Sequence, residues 1–596
     1  MIDNKELFLK TNLAALEETD KELYSRLCKT PNSSFYSFAK SRNGDTVPVL
    51  KGQALHSLID PKREAGRLLS TVKHGSGFLI FLGFGGGFLS EAALEQTDAH
   101  VTVIDFCLGG IAEILSSGDY SHIIKNDRFS FLADTSCEKI KSFIIENYKP
   151  ALSGGIQIIP LRSRIEADKP LFDNVIAAIQ EAIEIVSGDY TVQAHFGERW
   201  FSNIIGNIKQ LAKDKEHLTE NKEQLTVNNE FFTINNGQLI IKKPIREAAI
   251  VAAGPSLDTQ LQAITELKAR NGFIISTDTA LPVLAHNGIM PDAVVSIDCQ
   301  HISYYHFLNY SMRSGNSCGQ NVIPLFLDIA SPSLLSRLPG FTPAFFAGGH
   351  PLARYIAPLP PLDTSGGNVT YACLAAAEYL GAERICLFGA DFSYIGSRSY
   401  ARGTYIYPYF YKRQNRLSPI EAQFSKFLYR SAFLPKEQLA DNGNRKYFET
   451  SSLRFYRKKL EEKASMMQAE IFCAAGLGAP VTINKGQVKG NNEERMGNKE
   501  QITNNRGQLT INSEKSTGNY YVKFLEKYRD DIAVLPEAEG KENYFTKLDA
   551  KDRRIFTTLL PYMATVKKRK PELELRELVR EVKNCCIAEI KRALEE

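Results

Sequence analysis

Small and acidic residues follow a series of short apolar runs in the middle of the chain. The runs lie at 248–253, 273–277, 294–297, 323–327 and 385–388, and they end in Gly254-Pro255-Ser256, Asp278, Asp298, Asp328 and Gly389-Ala390-Asp391. Such runs are typical of buried parallel strands, whose carboxyl ends form the ligand crevice of an open α/β sheet. The spacing therefore predicts that these polar residues converge on one candidate active site.

Two of the polar segments are predicted to begin helices. Ser256 directly follows a strand, and a second start precedes a helix predicted over 369–380. The residues of that second start are Asp363, Thr364, Ser365, Gly366, Gly367 and Asn368. Because the first N–H groups of a helix attract phosphate, two such starts at one crevice predict an anionic ligand. The alternative for each residue alone is an ordinary N-cap, worth about 1 kcal/mol.

The aspartates at the strand ends leave two uses open. One use is to hold Mg²⁺, which prefers carboxylate and phosphate oxygens, between Asp278, Asp298, Asp328 and Asp391. They are equally suited to accept hydrogen bonds from a ribose or a base. We favour the second use because no acidic pair has the tight spacing of metal ligands, and no metal site or required cofactor is assigned.

A segment rich in tyrosine and arginine follows the last strand. It runs from Tyr394 to Tyr411 and includes Tyr400, Arg402 and Tyr405. Hydroxyls and guanidinium groups bind phosphates and carboxylates, so the segment is interpreted as a loop that closes over a donor substrate. The alternative is a surface that binds a protein, because both residue types are common at interfaces.

A second glycine-rich turn lies nearer the N-terminus. The apolar run that ends in Gly83-Phe84-Gly85-Gly86-Gly87 is followed by a helical pattern and by Val101 to Asp105. A glycine turn with an acid about 20 residues later is the arrangement of a nucleotide-binding βαβ unit, in which Asp105 would hold a ribose. The alternative, which we prefer, is that the glycines only pack a helix onto a sheet.

Length and composition predict a multidomain α/β protein. The chain has 596 residues, 43% hydrophobic residues and a formal net charge of +4. Near-neutral charge predicts no general affinity for nucleic acid, and the absence of a leader-like N-terminus or a long apolar run predicts a cytoplasmic protein without a membrane span. The ten cysteines lack a metal or disulfide spacing. Nothing in the sequence indicates the oligomeric state.

Asn- and Gln-rich stretches suggest the domain boundaries. We predict a Rossmann-like domain over 1–215, an insert over 216–243, a Rossmann-like catalytic domain over 244–435, and a mostly helical region over 436–596 with a flexible insert near 482–518. The inserts are interpreted as flexible because such stretches bury little apolar surface. The alternative is exposed β-hairpins, since Asn-Gly favours tight turns.

The polar strand ends resemble those of a known family, the motility-associated-factor flagellin glycosyltransferases. The resemblance rests on Ala253-Gly-Pro-Ser-Leu257, Ser276-Thr-Asp-Thr-Ala280, Gly288-Ile-Met-Pro-Asp292 with Asp298, Ser365-Gly-Gly-Asn368 and Phe388-Gly-Ala-Asp-Phe392. That family is also described as similar to hydroxymethylpterin diphosphokinases. The Ser365 and Asp391 motifs are similar to those of bacterial sialyltransferases that use CMP-activated sugars. The resemblance covers about 246–400.

The resemblance implies transfer of a nonulosonic acid, of the sialic, pseudaminic or legionaminic type, from a CMP donor to Ser or Thr of flagellin. It implies that Gly254, Ser256, Asp278, Ser365, Gly366 and Asn368 hold the nucleotide. We add their neighbours Pro255, Asp298, Thr364 and Gly367 to that expected set. Asp391 is implied to lie near the sugar or the acceptor.

The sequence departs from the sialyltransferases in the residue expected to be the base that activates the acceptor hydroxyl. They place a histidine beyond the strand that ends in the aspartate motif, and this chain has no histidine after His350. Asp391 is therefore the expected base by elimination, with His301 and His350 as weaker alternatives. Two other functions remain open: an ATP- and Mg²⁺-dependent pterin diphosphokinase, and a non-catalytic flagellin-binding chaperone.

Overall fold

A computed structural model describes residues 4–31, 33–213, 227–235, 238–308, 322–356, 359–396, 398–430, 436–440, 445–483, 518–538 and 544–595. The chain divides into two compact units. The first comprises Met1–Gly197 and Asp531–Cys585, and the second comprises Glu198–Asp530 and Cys586–Glu596.

The first unit is built on a parallel four-stranded sheet. Its strands are β1 (Ser37–Lys40), β2 (Thr46–Leu50), β3 (Gln53–Ala54), β4 (Phe78–Leu82), β5 (His100–Asp105), β6 (Phe129–Ala133) and β7 (Ile156–Pro160). The first three form a small antiparallel sheet, and the other four pair in the order β6-β5-β4-β7. The chain thus moves outward from β4 to β6 and then returns to the other side of β4, where the topology creates a switch point.

Helices cover this sheet because its central strands are apolar on both faces. Every residue of β4 and β5 is buried. The helices of the unit are Asn4–Thr19, Lys21–Cys28, Pro61–Leu69, Phe88–Gln96, Leu108–Ser117, Ser121–Ile124, Cys137–Asn147, Pro150–Ser153, Arg162–Ala167, Tyr544–Lys547 and Ala550–Arg569. The unit boundaries fall inside three further helices, Lys169–Lys213, Gly518–Val534 and Leu575–Glu595.

The second unit contains a larger parallel sheet of the same kind. Its strands are β8 (Val227–Asn228), β9 (Phe232–Asn235), β10 (Gln238–Ile241), β11 (Glu247–Val251), β12 (Phe273–Thr277), β13 (Ala293–Ser296), β14 (Ile323–Asp328), β15 (Phe341–Phe346), β16 (Arg384–Phe388), β17 (Lys436–Ala440), β18 (Arg445–Glu449) and β19 (Glu470–Cys473). Seven of them pair in the order β15-β14-β13-β12-β11-β16-β19. All six pairings are parallel. The switch point lies between β11 and β16.

Helices lie on both faces of this sheet, as the alternation along β11 requires. Ala248 and Ile250 pack into the core that contains the Val369–Tyr379 helix, whereas Ala249 and Val251 pack into the core that contains the Leu257–Ala269 helix. The remaining helices are Leu281–His286, Pro351–Tyr355, Ile406–Tyr411, Ile420–Leu428 and Ser451–Met466, with 3₁₀ turns at Asp278–Ala280, His301–His306 and Ser333–Arg337.

The described part of the Asn-rich stretch before β11, residues 227–235 and 238–243, forms strands, contrary to the flexible insert expected there. Strands β8 to β10 form an antiparallel sheet, the hairpin alternative. Phe232 and Ile234 are fully buried, so alternate residues of β9 bury apolar side chains although the stretch as a whole is polar in composition. The other insert expected near 482–518 falls mainly on 484–517, which lie outside the described residues.

The fold class predicted from the sequence is confirmed. The chain is a multidomain α/β protein with two Rossmann-like parallel sheets and a helical C-terminal region. The predicted domain boundaries remain predictions. Among the described residues, none of the helices combines the length and the apolar character needed to cross a bilayer.

Candidate active site

The switch point between β11 and β16 is closed by a buried carboxylate. Asp391 follows β16 and is 5% exposed. Its Oδ2 accepts a 2.7 Å hydrogen bond from the Ser256 N–H, and its Oδ1 accepts a 2.5 Å bond from the Ser256 hydroxyl. Gly254 is required beside this pair because a Cβ there would lie 2.4 Å from Oδ2 of Asp391. The two predicted motifs therefore bind each other.

The segment that follows β19 covers the same switch point. The Leu477 N–H donates to the Ser256 hydroxyl at 2.7 Å, and the Ala479 N–H donates to the Asp391 carbonyl at 3.0 Å. Gln260 adds a second link, since its side chain accepts from the Gly389 N–H and donates to the Ala475 carbonyl. Pro255 is buried between these groups. A phosphate at this helix start would have to displace the covering segment.

These contacts change the interpretation of Ser256 and Asp391. The Ser256 side chain makes no capping bond, so the N-cap alternative is wrong for this residue. Burial raises the pKa of Asp391, and the bonds from Ser256 oppose that shift. Because both carboxylate oxygens already accept hydrogen bonds within the fold, Asp391 is placed to hold the switch point together rather than to take a proton from a substrate.

Polar groups gather at the ends of the next two strands, β12 and β13. Asp278 is 1% exposed; its Oδ2 accepts from the Ser296 hydroxyl at 2.7 Å and its Oδ1 from the Thr279 N–H. Asp298 is half-buried and accepts from the Gln300 N–H at 2.9 Å. Burial raises the pKa of Asp298, and the charge of Asp278 raises it further. The structure thus brings these two predicted residues together.

The tyrosine- and arginine-rich segment is held by the residues that follow β11. The Ala401 N–H donates to the Ala253 carbonyl at 2.8 Å, and the Arg402 N–H donates to Asp258. The Arg402 side chain itself is exposed. Burial raises the pKa of Tyr400 and Tyr405, and Asp278 contributes to both shifts. The two tyrosines therefore face the aspartates, whereas the expected role of Arg402 rests only on its position.

The second helix start is ordered by its own side chains. Asn368 is the N-cap of the Val369–Tyr379 helix and accepts from the Tyr371 N–H at 3.0 Å. The Ser365 hydroxyl donates to Asp363, and Thr364 accepts from the Gly349 N–H. Asn368 also donates to the Gly366 carbonyl. The N-cap alternative holds for Asn368. Two backbone donors of this start are also engaged, because the Ser365 N–H donates to Asp363 and the Gly367 N–H donates to the Thr364 carbonyl.

Tyr456 connects the second helix start with the strand-end aspartates. A Cβ added to Gly367, whose φ is +70°, would lie 3.1 Å from the Tyr456 ring. Burial raises the pKa of Tyr456, and the charge of Asp298 raises it further. Gly367, Tyr456 and Asp298 therefore lie around one place. Tyr456 is far from the motifs in sequence, and its pattern gave no signal of this role.

Two further residues of this region were missed by the sequence analysis. His306, at the end of the His301–His306 turn, is 7% exposed and meets the Tyr405 ring edge-on at 4.6 Å between centroids. Arg430 lies over the Phe427 ring at 3.4 Å, and its charge opposes the effect of burial on the pKa of Tyr405. The sequence offered one indication for His306, because it lies in the segment that follows β13 at the carboxyl edge of the sheet.

Asp328 and His350 form a separate buried group at the ends of β14 and β15. Burial raises the pKa of Asp328 to about 7 and lowers that of His350 to about 3. Asp328 accepts from the Ala330 N–H, and His350 caps the Pro351–Tyr355 helix through Nδ1. Within the described residues, no group of three or more His, Cys, Asp or Glu side chains is arranged to hold a metal ion.

The glycine-rich turn of the first unit is filled by side chains. Asp105 is fully buried and pairs with the fully buried Arg164 at 2.8 Å. It also accepts from the Phe84 N–H at 2.8 Å. A Cβ on Gly85 would lie 2.2 Å from His56 Nε2, so the glycine makes room for that ring. The packing alternative accounts for the turn, and Asp105 is not available to a ribose.

Comparison with known proteins places the central region in a family. The family model of 6-hydroxymethylpterin diphosphokinase MptE-like domains matches residues 203–397. An uncharacterised protein of Treponema pallidum (strain Nichols) is 30% identical over 203 residues, which are 34% of this chain and 85% of that protein. The structure of the MAf glycosyltransferase from Magnetospirillum magneticum AMB-1 matches 99% of this chain and 95% of its own with a TM-score of 0.56. The chain therefore has the fold of that glycosyltransferase, and it belongs to one family with this Treponema protein.

Two further relatives match shorter parts of the chain. A second uncharacterised Treponema pallidum protein is 42% identical over 90 residues, and the chain covers only 32% of its length. A third is 24% identical over 181 residues, and 61% of that protein is covered. The sequence identity to the Magnetospirillum enzyme is 13%, so that likeness establishes the fold of this chain and not its donor or acceptor.

Proposed function

We propose that the protein is an O-glycosyltransferase that moves a nonulosonic acid from a CMP-activated donor to Ser or Thr hydroxyls of flagellin. The observation that carries the proposal is the convergence of Asp278, Asp298, Tyr405 and Tyr456 beside the Gly367 backbone, at the carboxyl ends of β12 and β13. The glycosyltransferase fold of the structural neighbour supports the reaction class.

The nucleoside half of the donor suits the two aspartates. Carboxylates accept hydrogen bonds from ribose hydroxyls and from the exocyclic amino group of cytosine. Asp278 is held by Ser296 and Thr279, so its orientation is fixed before a ligand arrives. In the proposal Asp278 and Asp298 hold the nucleoside.

The phosphate suits the second helix start. Ser365, Gly366 and Gly367 lie directly before the N-cap Asn368, where N–H groups and the helix dipole attract an anion. The first helix start, at Ser256, is already engaged by Asp391. The proposal therefore assigns the donor phosphate to the Gly366 backbone and the first turn of the Val369–Tyr379 helix, and it keeps Ser256 and Asp391 as positioning residues.

The sugar and the acceptor are assigned to the tyrosine side of the site. Transfer develops positive charge on the sugar ring and negative charge on the departing phosphate. Tyrosine hydroxyls stabilise the negative charge by donating hydrogen bonds to the phosphate. Tyr400 and Tyr405 are the proposed donors. Arg430 is the proposed partner of the carboxylate that every nonulosonic acid carries. Its positive charge opposes the rise in pKa that burial causes at Tyr394, Tyr400 and Tyr405, so it lies near all three.

Calorimetry and protein mass together test the proposal. The protein is titrated with CMP and, separately, with ATP plus Mg²⁺, and we expect it to bind CMP. The affinity for CMP should weaken at least tenfold in the Asp278→Asn variant, because a hydrogen bond to a charged acceptor contributes about 1.5–3 kcal/mol. Flagellin incubated with the protein and a CMP-nonulosonic acid should gain the mass of that sugar. Binding of ATP with no response to CMP, together with an unchanged flagellin mass, would overturn the proposal.

The match to the MptE-like family supports one second candidate, a diphosphokinase that acts on a hydroxymethylpterin. That reaction uses ATP with Mg²⁺ held by carboxylates. The same titration separates the two candidates, since the diphosphokinase needs ATP and Mg²⁺ together and is indifferent to CMP. Formation of AMP in the presence of a hydroxymethylpterin is the activity readout for this candidate.

A further inference from the structure

His306 occupies a position that the proposed reaction leaves without a role. It ends the His301–His306 turn, which follows β13 and packs against the Asp278–Ala280 turn. The residue is therefore held between the ends of the two strands that carry Asp278 and Asp298. The Tyr405 ring also packs against it, edge-on to the imidazole.

The imidazole of His306 keeps one ring nitrogen unused. Its Nδ1 is buried and has no hydrogen-bond partner among the described residues. A buried polar atom without a partner costs free energy, and such atoms in native structures call for an explanation, of which a catalytic role is one. The charge of His306 also acts on Asp298, whose pKa it lowers against the effect of burial. The titratable groups around His306 are thus Asp278, Asp298 and Tyr405.

We propose that His306 is the base that takes the proton from the acceptor hydroxyl, with Asp298 stabilising the imidazolium that forms. This inference rests on the proposed function. The acceptor oxygen forms a bond to the anomeric carbon of the sugar while the bond from that carbon to the phosphate oxygen breaks. The electron pair of the broken bond leaves with CMP. The hydroxyl proton moves to a ring nitrogen of His306 and then to solvent.

The other candidates for this role are less suited by their contacts. Both oxygens of Asp391 accept hydrogen bonds from Ser256. His350 already uses Nδ1 to cap a helix, and the ring is buried against Trp200. His306 is instead placed beside the aspartates proposed to hold the nucleoside, so an acceptor hydroxyl that reaches the donor also reaches the imidazole.

The test compares His306→Gln with His286→Gln as a matched control. His286 is exposed at the end of the Leu281–His286 helix and faces none of these groups. A general base contributes about 10²–10⁴-fold to the rate, so kcat of the His306 variant should fall at least 100-fold. The Kd for CMP should stay within about twofold. The rate of the wild-type protein should decline at acid pH, and this decline should be absent in the variant.

Each outcome decides the inference. Unchanged kcat, or a decline at low pH that persists in His306→Gln, overturns it. A parallel loss of kcat, CMP affinity and thermal stability also overturns it, since that pattern identifies a structural residue. If the wild-type protein itself transfers no sugar from any CMP-nonulosonic acid, the proposed function fails and this inference fails with it. The wild-type assay alone therefore distinguishes the two failures.

Discussion

The two parallel sheets of this protein share one topology and differ in what lies at their switch points. In the first unit the switch point next to β4 holds Asp105 paired with the fully buried Arg164. In the second unit the switch point next to β11 holds Asp391, which is satisfied by the N–H and hydroxyl of Ser256. Both points are closed by a buried carboxylate. In the second sheet the neighbouring strands β12 and β13 are also followed by Asp278 and Asp298, whose charges both raise the pKa of Tyr405.

The difference teaches that a glycine-rich turn after a strand is not by itself a ligand site. In the first unit, glycine makes room for His56 and for the Arg164 side chain. In the second unit, Gly254 makes room for Asp391. The candidate site is instead displaced by one or two strands, to the ends of β12 and β13, where Asp278 and Asp298 face Tyr405 and Tyr456.

The largest effect is expected from breaking the closed switch point of the first unit. Arg164→Met leaves Asp105 buried without its partner, which typically costs about 3–5 kcal/mol of unfolding free energy. The affinity of the folded protein for CMP should stay unchanged. Urea unfolding followed by circular dichroism and calorimetry with CMP measure the two quantities.

Arg162→Met is the control for that variant because Arg162 is exposed two residues away. It should unfold at the same urea concentration as the wild-type protein. A stable Arg164→Met protein with weakened CMP binding would contradict the comparison, since it would mean that the first glycine turn takes part in donor binding.

The second prediction concerns Asp328, at the end of β14. Its pKa is raised from 3.8 to about 7 by burial, so the folded state binds the proton more tightly than the unfolded state does. The contribution of Asp328 to stability is therefore fully present below about pH 4 and is lost as the pH rises through 7. Asp328→Asn should remove this dependence and shrink the difference in unfolding free energy between pH 5 and pH 8 by roughly 2 kcal/mol.

Fluorescence of the single tryptophan, Trp200, measures this effect in the unit that contains Asp328. Asp530→Asn serves as the control because Asp530 is exposed. An Asp328→Asn protein that keeps the full pH dependence of the wild type would show that this carboxyl is ionised without penalty at the strand end.

The smallest effect is expected at the second switch point. Asp391→Asn replaces one acceptor oxygen by a donor that faces the Ser256 N–H or hydroxyl, which should cost about 1–3 kcal/mol. Ser256→Ala should cost a similar amount, and the double variant should cost clearly less than the sum, because both changes break one network. If Asp391 were the base, its variant would instead lose transfer at unchanged stability.

Much of the fold followed from patterns that sequence carries directly. The apolar runs between Arg246 and Phe392 are parallel strands, and their polar ends share one edge of the sheet, as the fixed direction of parallel strands requires. The helix start at Asn368 was likewise predicted. These features depend on neighbours in the chain or on the two-residue period of a strand.

The features that the sequence analysis missed depend on distant partners. The polar stretch before β11 becomes a sheet because Phe232 and Ile234 reach the main core. The burial of Asp105 follows from Arg164, 59 positions later. His306 gains its place only once Tyr405 packs against it. Local composition could not reveal these pairings, since each of them is created by the folded topology.

The hydrogen bond between Leu477 and Ser256 joins residues 221 positions apart, and it has a consequence for biosynthesis. A ribosome must add residues far beyond 397, where the family match ends, before the switch point can close. Until β19 emerges, β16 is an edge strand whose unpaired backbone groups invite association with other chains. A fragment that stops at 397 should therefore aggregate, whereas one that continues through Ala479 has the strand that shields this edge.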